Sequence, residues 1–309
     1  MSALSGKSIL VTGATGSFGH AFVRRALDDG ARRVVVYSRD ELKQSQMKKA
    51  FPDQRMRFFL GCVRDLSRLT RAMEEIDIVC HAAALKRIEA GEEDASEFVK
   101  TNILGTLNVI DAAHDAGVER VVFLSTDKAS QSSTLYGSTK HTAERLIQAA
   151  NNARGETGPI YAAVRYGNIS GSRGSIIPTW RALLDRGDAI TMTDPDCTRY
   201  WMLIDQAVDL VAWTIQHMRG GEIVVPDLPA YRVADLALAM GATDITRTHR
   251  GVGEKLHESM IGPDEVESFH RHGPYWSTKG FGEQLPAPLT SDSAPRLSVD
   301  DLRLRLAAA

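Results

Sequence analysis

A short apolar strand runs directly into a glycine-rich turn and then into a helix near the start of this chain. Residues 7–12 predict the strand, and the turn that follows it at once reads Gly13-Ala14-Thr15-Gly16-Ser17-Phe18-Gly19. Apolar residues at helical spacing then predict one buried helix face: Phe22, Val23, Ala26 and Leu27. Glycines in this setting let backbone N–H groups and the helix N-terminus approach a pyrophosphate. The pattern favours a dinucleotide site in a parallel α/β sheet over a plain structural turn.

The end of the second predicted strand, residues 33–37, bears on the choice of dinucleotide. Ser38 and Arg39 follow the strand, and Lys43 lies one helical turn further on. A carboxylate at this place favours the ribose 2′-hydroxyl of NAD, whereas a cation favours the 2′-phosphate of NADP. The sequence favours NADP, while the adjacent Asp40 keeps NAD as the less favoured cofactor. The alternative is that Arg39 and Lys43 are solvated surface charges.

Strands and helices continue to alternate, which predicts a doubly wound parallel sheet. The fourth strand, residues 76–81, ends in His81 and then in small residues, including Ala82 and Ala83, that let the backbone pass close to a ligand. We expect His81 to be a structural histidine rather than a catalyst. Lys86 follows at the carboxyl edge of the sheet, where ligands bind in open α/β folds. A long helix is predicted over residues 95–116.

The stretch from 125 to 140 carries the strongest chemical signal. It follows the apolar fifth strand, residues 120–124, and ends in Tyr136-x-x-x-Lys140 at the start of a helix. Side chains at positions i and i+4 of a helix lie on one face, and a nearby cation lowers the pKa of a tyrosine. Tyr136 is therefore a candidate base toward a hydroxyl. Asp127 and Lys128 form a second acid–base pair just upstream, which indicates more than one oxidation step.

After the sixth strand, residues 160–165, the loop 166–175 is rich in glycine and hydroxyl groups and carries Arg173. That composition suits a phosphate- or sugar-bearing ligand, although a flexible connector is the alternative. Regular alternation ends near residue 176. We expect a Rossmann-type domain over residues 1–168 and a smaller substrate-binding lobe over 169–309, with strands that cross back into the first domain.

Composition excludes several classes of protein. The formal charge of −2 gives no reason to expect a nucleic acid or membrane partner. The three cysteines are widely spaced, so we expect neither a disulfide framework nor a metal site, and a cytoplasmic location fits best. No apolar run approaches the ~20 residues that span a bilayer, and we expect no signal sequence.

Several motifs together resemble the extended short-chain dehydrogenase/reductases that act on nucleotide sugars, in particular the inverting UDP-N-acetylglucosamine 4,6-dehydratases. The resemblance spans nearly the whole chain. Its most specific element is Thr-Asp-Lys at residues 126–128, before the tyrosine. The segments that carry it, besides the glycine-rich turn and Tyr136-x-x-x-Lys140, are 37–44 (YSRDELKQ), 55–59 (RMRFF), 81–86 (HAAALK), 100–102 (KTN), 124–129 (LSTDKA), 135–137 (LYG), 164–168 (VRYGN), 171–175 (GSRGS), 198–199 (TR), 220–223 (GGEI), 253–258 (GEKLHE) and 297–302 (LSVDDL).

The resemblance implies a mechanism. Tyr136 would deprotonate the sugar 4-hydroxyl while hydride passes to NADP⁺, and Lys128 would then remove the acidified C5 proton. Asp127 would assist loss of the 6-hydroxyl as water, hydride would return to C6, and C5 would be reprotonated from the opposite face. Lys128 needs a pKa near neutrality for this, which partial burial can supply. Lys140 would orient the nicotinamide ribose and tune Tyr136.

Residue patterns and resemblance together give two binding sets. The cofactor set is Gly13, Thr15, Gly16, Ser17, Phe18, Gly19, Ser38, Arg39, Lys43, Val63, Ala82, Ala83, Lys86, Tyr136 and Lys140. The substrate set is Lys86, Thr126, Asn168, Arg173, Gly174, Ser175, Arg199 and Glu254, of which Arg173, Arg199 and Glu254 are implied as ligands of the nucleotide diphosphate and ribose.

The chain also departs from the family pattern. Cys62 replaces the aspartate that usually precedes Val63 beside the adenine, residues 87–95 lack the usual His-Val-Pro and Asn-Pro elements, and Gln131-Ser-Ser-Thr134 and Gly251-Val252 replace other motifs. A 4-epimerase or a dehydratase of different outcome, and a non-catalytic NADP-binding regulator, are the alternative functions. The resemblance also implies a homo-oligomer, a dimer or hexamer, assembled through helices in 95–116 and 136–150.

Overall fold

A nine-stranded, mainly parallel sheet forms the centre of the molecule. The computed structural model describes residues 2–172, 174–251 and 253–307. Fifteen strands are defined in this part of the chain: β1 Ser8–Thr12, β2 Arg33–Ser38, β3 Met56–Leu60, β4 Ile78–His81, β5 Arg120–Leu124, β6 Ile160–Val164, β7 Ile190–Met192, β8 Thr198–Tyr200, β9 Ile223–Pro226, β10 Ala230–Arg232, β11 Ile245–Arg247, β12 Ser259–Ile261, β13 His270–His272, β14 Tyr275–Ser277 and β15 Leu289–Thr290.

Helices pack around this sheet. The α-helices of the described residues are α1 Ser17–Asp28, α2 Glu41–Ala50, α3 Leu66–Ala72, α4 Ile88–Glu93, α5 Ala95–Phe98, α6 Gly105–Asp115, α7 Leu135–Ala153, α8 Ile176–Leu184, α9 Ile204–His217, α10 Val233–Ala239 and α11 Val299–Ala307. Helices α3, α6 and α7 pack side by side, and α1 packs on α9. Among the described helices, none has the length and apolarity to cross a bilayer.

The sheet order is β13-β14-β9-β6-β5-β4-β1-β2-β3, and the pairs from β3 through β9 are parallel. Every residue of β1 and β4 is buried, as expected for strands covered on both faces. Because parallel strands end at the same edge, the residues that follow β1, β2, β4, β5 and β6 converge there. The predicted doubly wound α/β fold is confirmed.

The C-terminal part of the chain contributes to two hydrophobic cores. Its strands β9, β14 and β13 extend the central sheet, the last two antiparallel. A separate cluster forms a smaller lobe from α8, β7, α10 and neighbouring segments, with Trp180, Trp201 and Leu236 at its centre. A cleft between sheet edge and lobe is thereby available for a ligand.

The single long helix predicted over 95–116 is wrong in detail. A short α5 continues into a π-helical segment, Val99–Leu104, before α6 begins at Gly105. Within this segment Asn102 turns inward: its amide oxygen accepts from Leu85 N, and its Nδ2 donates to Leu85 O and to Thr139 Oγ1, at 2.9–3.0 Å. The π turn thus ties the chain after β4 to α7.

Candidate active site

The glycine-rich turn forms a cradle in which side chains are excluded by close backbone approach. Gly13 has φ +67°, and a Cβ there would lie 2.8 Å from Ala83 N. A Cβ on Gly19 would overlap the backbone of Ala14. Gly16 caps α1 without a side chain, so the helix N-terminus stays accessible to an anion. These features fit a dinucleotide pyrophosphate, as the sequence predicts.

Other members of the predicted cofactor set surround this cradle. Thr15 is buried and Ser17 half-buried beside Gly16, whereas Phe18 stacks on Phe22 in the core at 5.6 Å, so its backbone rather than its ring faces the turn. Val63 is buried, and its carbonyl accepts from Asn108. Ala82 and Ala83 follow β4 beside the turn, and Ala83 N–H donates to Thr12 Oγ1.

Two cations lie near the tip of β2: Arg39 is exposed, whereas Lys43 is paired with Asp40. Asp40 caps α2 by accepting from Lys43 N, and its other oxygen lies 2.9 Å from Lys43 Nζ. Ser38 is buried, and its hydroxyl accepts from Gln44. Arg39 is exposed at the strand end. The carboxylate of Asp40 is therefore engaged by its own helix, and Arg39 is the cation presented at this edge.

Tyr136 lies on α7 next to the turn that carries Lys128. Gly137 makes this possible, since a Cβ there would overlap the carbonyl oxygen of Lys128. Burial raises the pKa of Tyr136 to about 12, while the Lys128 charge and a hydrogen bond with Thr126 act in the opposite direction. The prediction that Lys140 lowers this pKa is wrong, because burial dominates and the cation that acts on the phenol is Lys128.

Lys140 is itself buried under the end of β5. Its Nζ donates to Leu124 O at 2.5 Å and lies 3.8 Å from the centre of the Phe123 ring. Burial lowers its pKa to about 7, although Glu144 partly offsets this. His81 is buried between Thr12 Oγ1 and Thr106 Oγ1, and its pKa is lowered to about 3 by burial and then by Lys140. His81 is a neutral structural residue, as expected.

Lys128 and Asp127 lie together on the 3₁₀ turn that follows β5. Lys128 Nζ is 3.1 Å from Asp127 Oδ1, and Asn168 Oδ1 lies 3.4 Å from the same nitrogen. Thr126 Oγ1 donates to Asp127 Oδ1 at 2.9 Å. Burial raises the pKa of Asp127, against the effect of Lys128. Burial would lower the pKa of Lys128, but Asp127 and Glu258 outweigh it and raise that pKa. The expectation that burial brings the pKa of Lys128 near neutrality is wrong.

A second group of charges, from distant parts of the chain, completes the site. Glu258 Oε1 lies 3.4 Å from Lys128 Nζ and 3.7 Å from Arg199 Nε. Arg199 also pairs with Glu254 Oε1 at 3.0 Å. Glu258 is absent from the residues predicted from sequence, although it closes the motif at 253–258. Its place in that motif, next to the predicted ligand Glu254, is the signal that could have identified it.

These residues line a cavity of 580 Å³. Its wall includes Lys128, Asn168, Arg199, Glu254 and Glu258, which come from both sides of the cleft. The pKa of Lys86 is lowered by partial burial and then by Arg87 and Lys128, which places Lys86 in the same neighbourhood. The volume suits a ligand of nucleotide-sugar size.

Four of the predicted substrate residues that the structure describes are absent from this wall: Lys86, Thr126, Gly174 and Ser175. Gly174 and Ser175 lie at the start of α8, and neither lines the cavity. The Ser175 hydroxyl is buried and has no hydrogen-bond partner among the described residues. Arg173 lies outside the described residues. Thr126 contributes indirectly, through Asp127.

Helix α4 supplies an acidic wall that the sequence did not indicate. Glu89, Glu92 and Glu93 line the cavity together with the cations Lys128, Arg199 and Lys255. Glu92 Oε1 accepts from Leu135 N at 2.9 Å, so it caps α7 one residue before Tyr136. The segment that departs from the family pattern therefore borders the site.

The arrangement combines two acid–base pairs at the mouth of a dinucleotide fold. Tyr136 and Lys140 lie on α7, and Asp127 and Lys128 lie on the preceding turn. Among the described residues, no group of three or more His, Cys, Asp or Glu side chains is placed to hold a metal ion. Proton transfer at two positions of one substrate is the chemistry these side chains support.

Comparisons with known proteins place this site in a family. The family model described as polysaccharide biosynthesis protein matches residues 9–279. The inverting UDP-N-acetylglucosamine 4,6-dehydratase of Campylobacter jejuni (strain 81-176) is 40% identical over 277 residues, which cover 88% of this chain and 83% of that protein. A UDP-glucose 4-epimerase of Rickettsia canadensis is 34% identical over 290 residues, covering 90% and 84%.

Solved structures of similar fold support the same family assignment. The X-ray structure of Pen from Bacillus thuringiensis matches with a TM-score of 0.94 at 32% identity and covers 99% of both chains. The dTDP-glucose 4,6-dehydratase DesIV from Streptomyces venezuelae, solved with NAD and TYD bound, matches with a TM-score of 0.75 at 25% identity and covers 81% of this chain and 86% of that chain. This chain therefore belongs to the polysaccharide biosynthesis protein family, among the nucleotide-sugar dehydratases and epimerases of short-chain dehydrogenase/reductase fold.

Proposed function

We propose that this protein is a nucleotide-sugar 4,6-dehydratase that converts a UDP-N-acetylglucosamine-type substrate to a 4-keto-6-deoxy sugar with inversion at C5. The observation that carries the proposal is Lys128 in the cavity wall, 3.1 Å from Asp127 and beside Tyr136. A 4-epimerase needs one base at the 4-hydroxyl, whereas dehydration needs a further base at C5 and an acid at the 6-hydroxyl. Lys128 and Asp127 supply that second pair.

The residues of this chain divide the work as follows. Tyr136 takes the proton of the 4-hydroxyl. Lys140, on the same helix, would orient the nicotinamide ribose of the cofactor. Lys128 then takes the C5 proton, the C5–H electrons form a C5=C6 double bond, and Asp127 gives its proton to the departing 6-hydroxyl, which leaves as water. A bound nicotinamide cofactor would accept a hydride from C4 and return it to C6, and a proton delivered to C5 from the opposite face would complete the 4-keto-6-deoxy product, so no net oxidation occurs.

Lys128 must lose a proton before it can act as this base. Transfer of one proton from Lys128 to Asp127 converts the resting ion pair into a neutral amine and a carboxylic acid without changing the total charge. The two groups are in hydrogen-bond contact at 3.1 Å, and burial favours their neutral forms. The same transfer prepares the base and the acid together.

We also infer that the cofactor is NADP. Support comes from Arg39, which is exposed at the tip of β2, and from Asp40, whose carboxylate is occupied by Lys43 and the α2 cap. The glycine cradle and the exposed α1 N-terminus would hold the pyrophosphate, and Ala82 and Ala83 leave room beside it.

A homo-oligomer in the cytoplasm, dimeric or hexameric, completes the proposal. Val99 and Leu104 are apolar residues exposed on the helical segment expected at the contact between subunits. The three cysteines are free, which is compatible with a reducing compartment. Light scattering on the purified protein measures the assembly state.

One experiment tests the reaction. The protein is incubated with UDP-N-acetylglucosamine and NADP⁺ in deuterated water, and the products are analysed by NMR and mass spectrometry. We expect a 4-keto-6-deoxy sugar with deuterium at C5. A C4 epimer as the sole product would replace the proposal with epimerisation, and cofactor binding without any turnover would indicate a regulator.

A further inference from the structure

Two carboxylates hold the Lys128 amine from different sides. Asp127 Oδ1 lies 3.1 Å and Glu258 Oε1 lies 3.4 Å from Lys128 Nζ. We propose that Glu258 is a positioning residue of the dehydration step: it fixes the Lys128 amine at the cavity, and its negative charge retains the proton that Lys128 and Asp127 share. This inference rests on the proposed function of the same site.

The surroundings of Glu258 fix its carboxylate in place. The residue is 4% exposed and lies at the start of the segment that leads into β12. Its backbone N–H donates to Ser291 Oγ at 2.9 Å, and Ser291 Oγ in turn contacts Thr198 Oγ1 at 2.6 Å. Arg199 Nε lies 3.7 Å from Glu258 Oε1. The negative charge of Glu258 therefore stays beside Lys128.

The pair of carboxylates is not saturated by hydrogen bonds. Among the described residues, Asp127 Oδ2 and Glu258 Oε2 are buried without a partner. An unpaired buried acceptor is costly, so most buried acceptors in folded proteins have a partner. Open oxygens on both sides of one amine leave room for a proton to be held or passed on.

The charge of Glu258 shifts the pKa values of both neighbours in the same direction. Burial raises the pKa of Asp127, and the carboxylate of Glu258 raises it further. Burial lowers the pKa of Lys128, but the carboxylates of Asp127 and Glu258 raise it. Both shifts act to retain the shared proton. The charged or titratable groups that face Glu258 are Asp127, Lys128, Arg199, Tyr200 and Lys255.

The proton that Glu258 retains is the one the reaction needs. With a single shared proton, Asp127 can protonate the departing 6-hydroxyl while the neutral Lys128 amine accepts the C5 proton. Without that proton, Asp127 is an anion and cannot act as the acid. Glu258 thereby sets the upper pH at which the site still dehydrates its substrate.

The test uses the full-length enzyme with Glu258→Gln, which removes the charge and keeps the shape. Loss of the charge lowers the pKa of both Asp127 and Lys128, so we expect both limbs of the pH profile of kcat for dehydration to move to lower pH, by about 1–3 units. Glu267→Gln, an exposed glutamate on the same stretch of chain, serves as control and keeps the wild-type profile.

Glu258→Asp separates charge from geometry. It keeps the charge on a shorter side chain, so we expect unmoved pH limbs with a lower kcat. Thermal unfolding shows whether each variant is folded. If Glu258→Gln does not fold, the test depends on Glu258→Asp, and a wild-type kcat in that variant would overturn the proposal.

A folded Glu258→Gln with unmoved limbs would also overturn the proposal, because a structural role alone lowers the rate without shifting the profile. Failure of the wild-type enzyme to form any dehydrated product would instead reject the proposed function. The wild-type reaction is measured first, so the two failures are distinguished.

Discussion

Two ionic clusters near the end of the parallel strands illustrate different uses of buried charge. Arg165, which follows β6, is fully buried and makes five hydrogen bonds, to Glu144, Glu265 and Met260 O, at 2.7–3.0 Å. Lys128, which follows β5, is 19% exposed and contacts Asp127 and Glu258 at 3.1 and 3.4 Å. The first cluster is saturated, whereas the second leaves a carboxylate oxygen open on each acid.

The difference indicates which cluster stabilises the fold and which performs chemistry. A buried arginine with every donor occupied links α7, β6 and the 3₁₀ segment Pro263–Ser268, and it cannot release its proton. A lysine between two carboxylates at the wall of a cavity can exchange its proton with a neighbour. Saturation and exposure therefore separate structural from functional ion pairs more clearly than charge content does.

The largest expected effect comes from Lys128→Arg. The guanidinium keeps a positive charge between Asp127 and Glu258, but it stays protonated and cannot take the C5 proton. We expect dehydration to fall by about 10²–10⁴-fold while thermal stability changes little. Product analysis by NMR and thermal unfolding measure the two quantities.

Lys48→Arg, an exposed change on α2, is the matched control for Lys128→Arg and should retain full activity. A wild-type rate in Lys128→Arg would show that another group accepts the C5 proton. The functional role assigned to the Lys128 cluster would then be wrong.

Arg165→Met tests the structural cluster. It leaves Glu144 and Glu265 without their cation, and removal of one partner of a buried pair costs about 3–5 kcal/mol. Denaturant unfolding measures this loss. We expect the dehydration rate per folded molecule to fall far less than in Lys128→Arg.

Arg25→Met removes a surface arginine that pairs with Asp29 and Asp209 and is 39% exposed, so it should cost only about 0–1 kcal/mol. Equal stability of the Arg165 and Arg25 variants would contradict the structural role assigned to the saturated cluster.

Arg39→Ala extends the comparison to an exposed cation and carries the smallest expected effect. Loss of a charge-assisted contact to a 2′-phosphate should weaken NADP⁺ binding about 10- to 100-fold, leave NAD⁺ binding nearly unchanged and leave stability unchanged. Calorimetric titration with each cofactor measures this. With Lys49→Ala as the exposed control, equal affinities for NADP⁺ in both variants would assign Arg39 to the solvated surface.

Local patterns predicted where the elements of the proposed cofactor site lie in the sheet. The glycines of the β1–α1 turn, the tip of β2 and the small residues after β4 follow their strands directly, so the parallel sheet brings them to one edge. Sequence spacing could not predict the direction of the pKa shifts. Tyr136 was expected to be acidified by Lys140, but burial raises its pKa, and the depth of burial is a property of the packed molecule.

The helix over 95–116 shows a second limit of sequence patterns. Its apolar spacing predicts helix correctly, but the structure has a π turn at Val99–Leu104, within which the Asn102 side chain forms hydrogen bonds with Leu85 and Thr139. Those partners lie far along the chain, so no local pattern contains them. Glu92 is similar: its role as a cap for α7 depends on where α4 packs.

The sequence by itself determined the alternation of strand and helix, the glycine cradle and the pairing of Asp127 with Lys128, because each depends on neighbours within a few residues. Only the tertiary structure decided that Arg199, Glu254 and Glu258 close around Lys128. These residues lie 71, 126 and 130 positions after Lys128. Only folding brings Glu258 to within 4 Å of Lys128 and of Arg199, and Arg199 to within 4 Å of Glu254. Electrostatic interaction depends on distance and burial in space, and these are set when the lobe packs against the sheet.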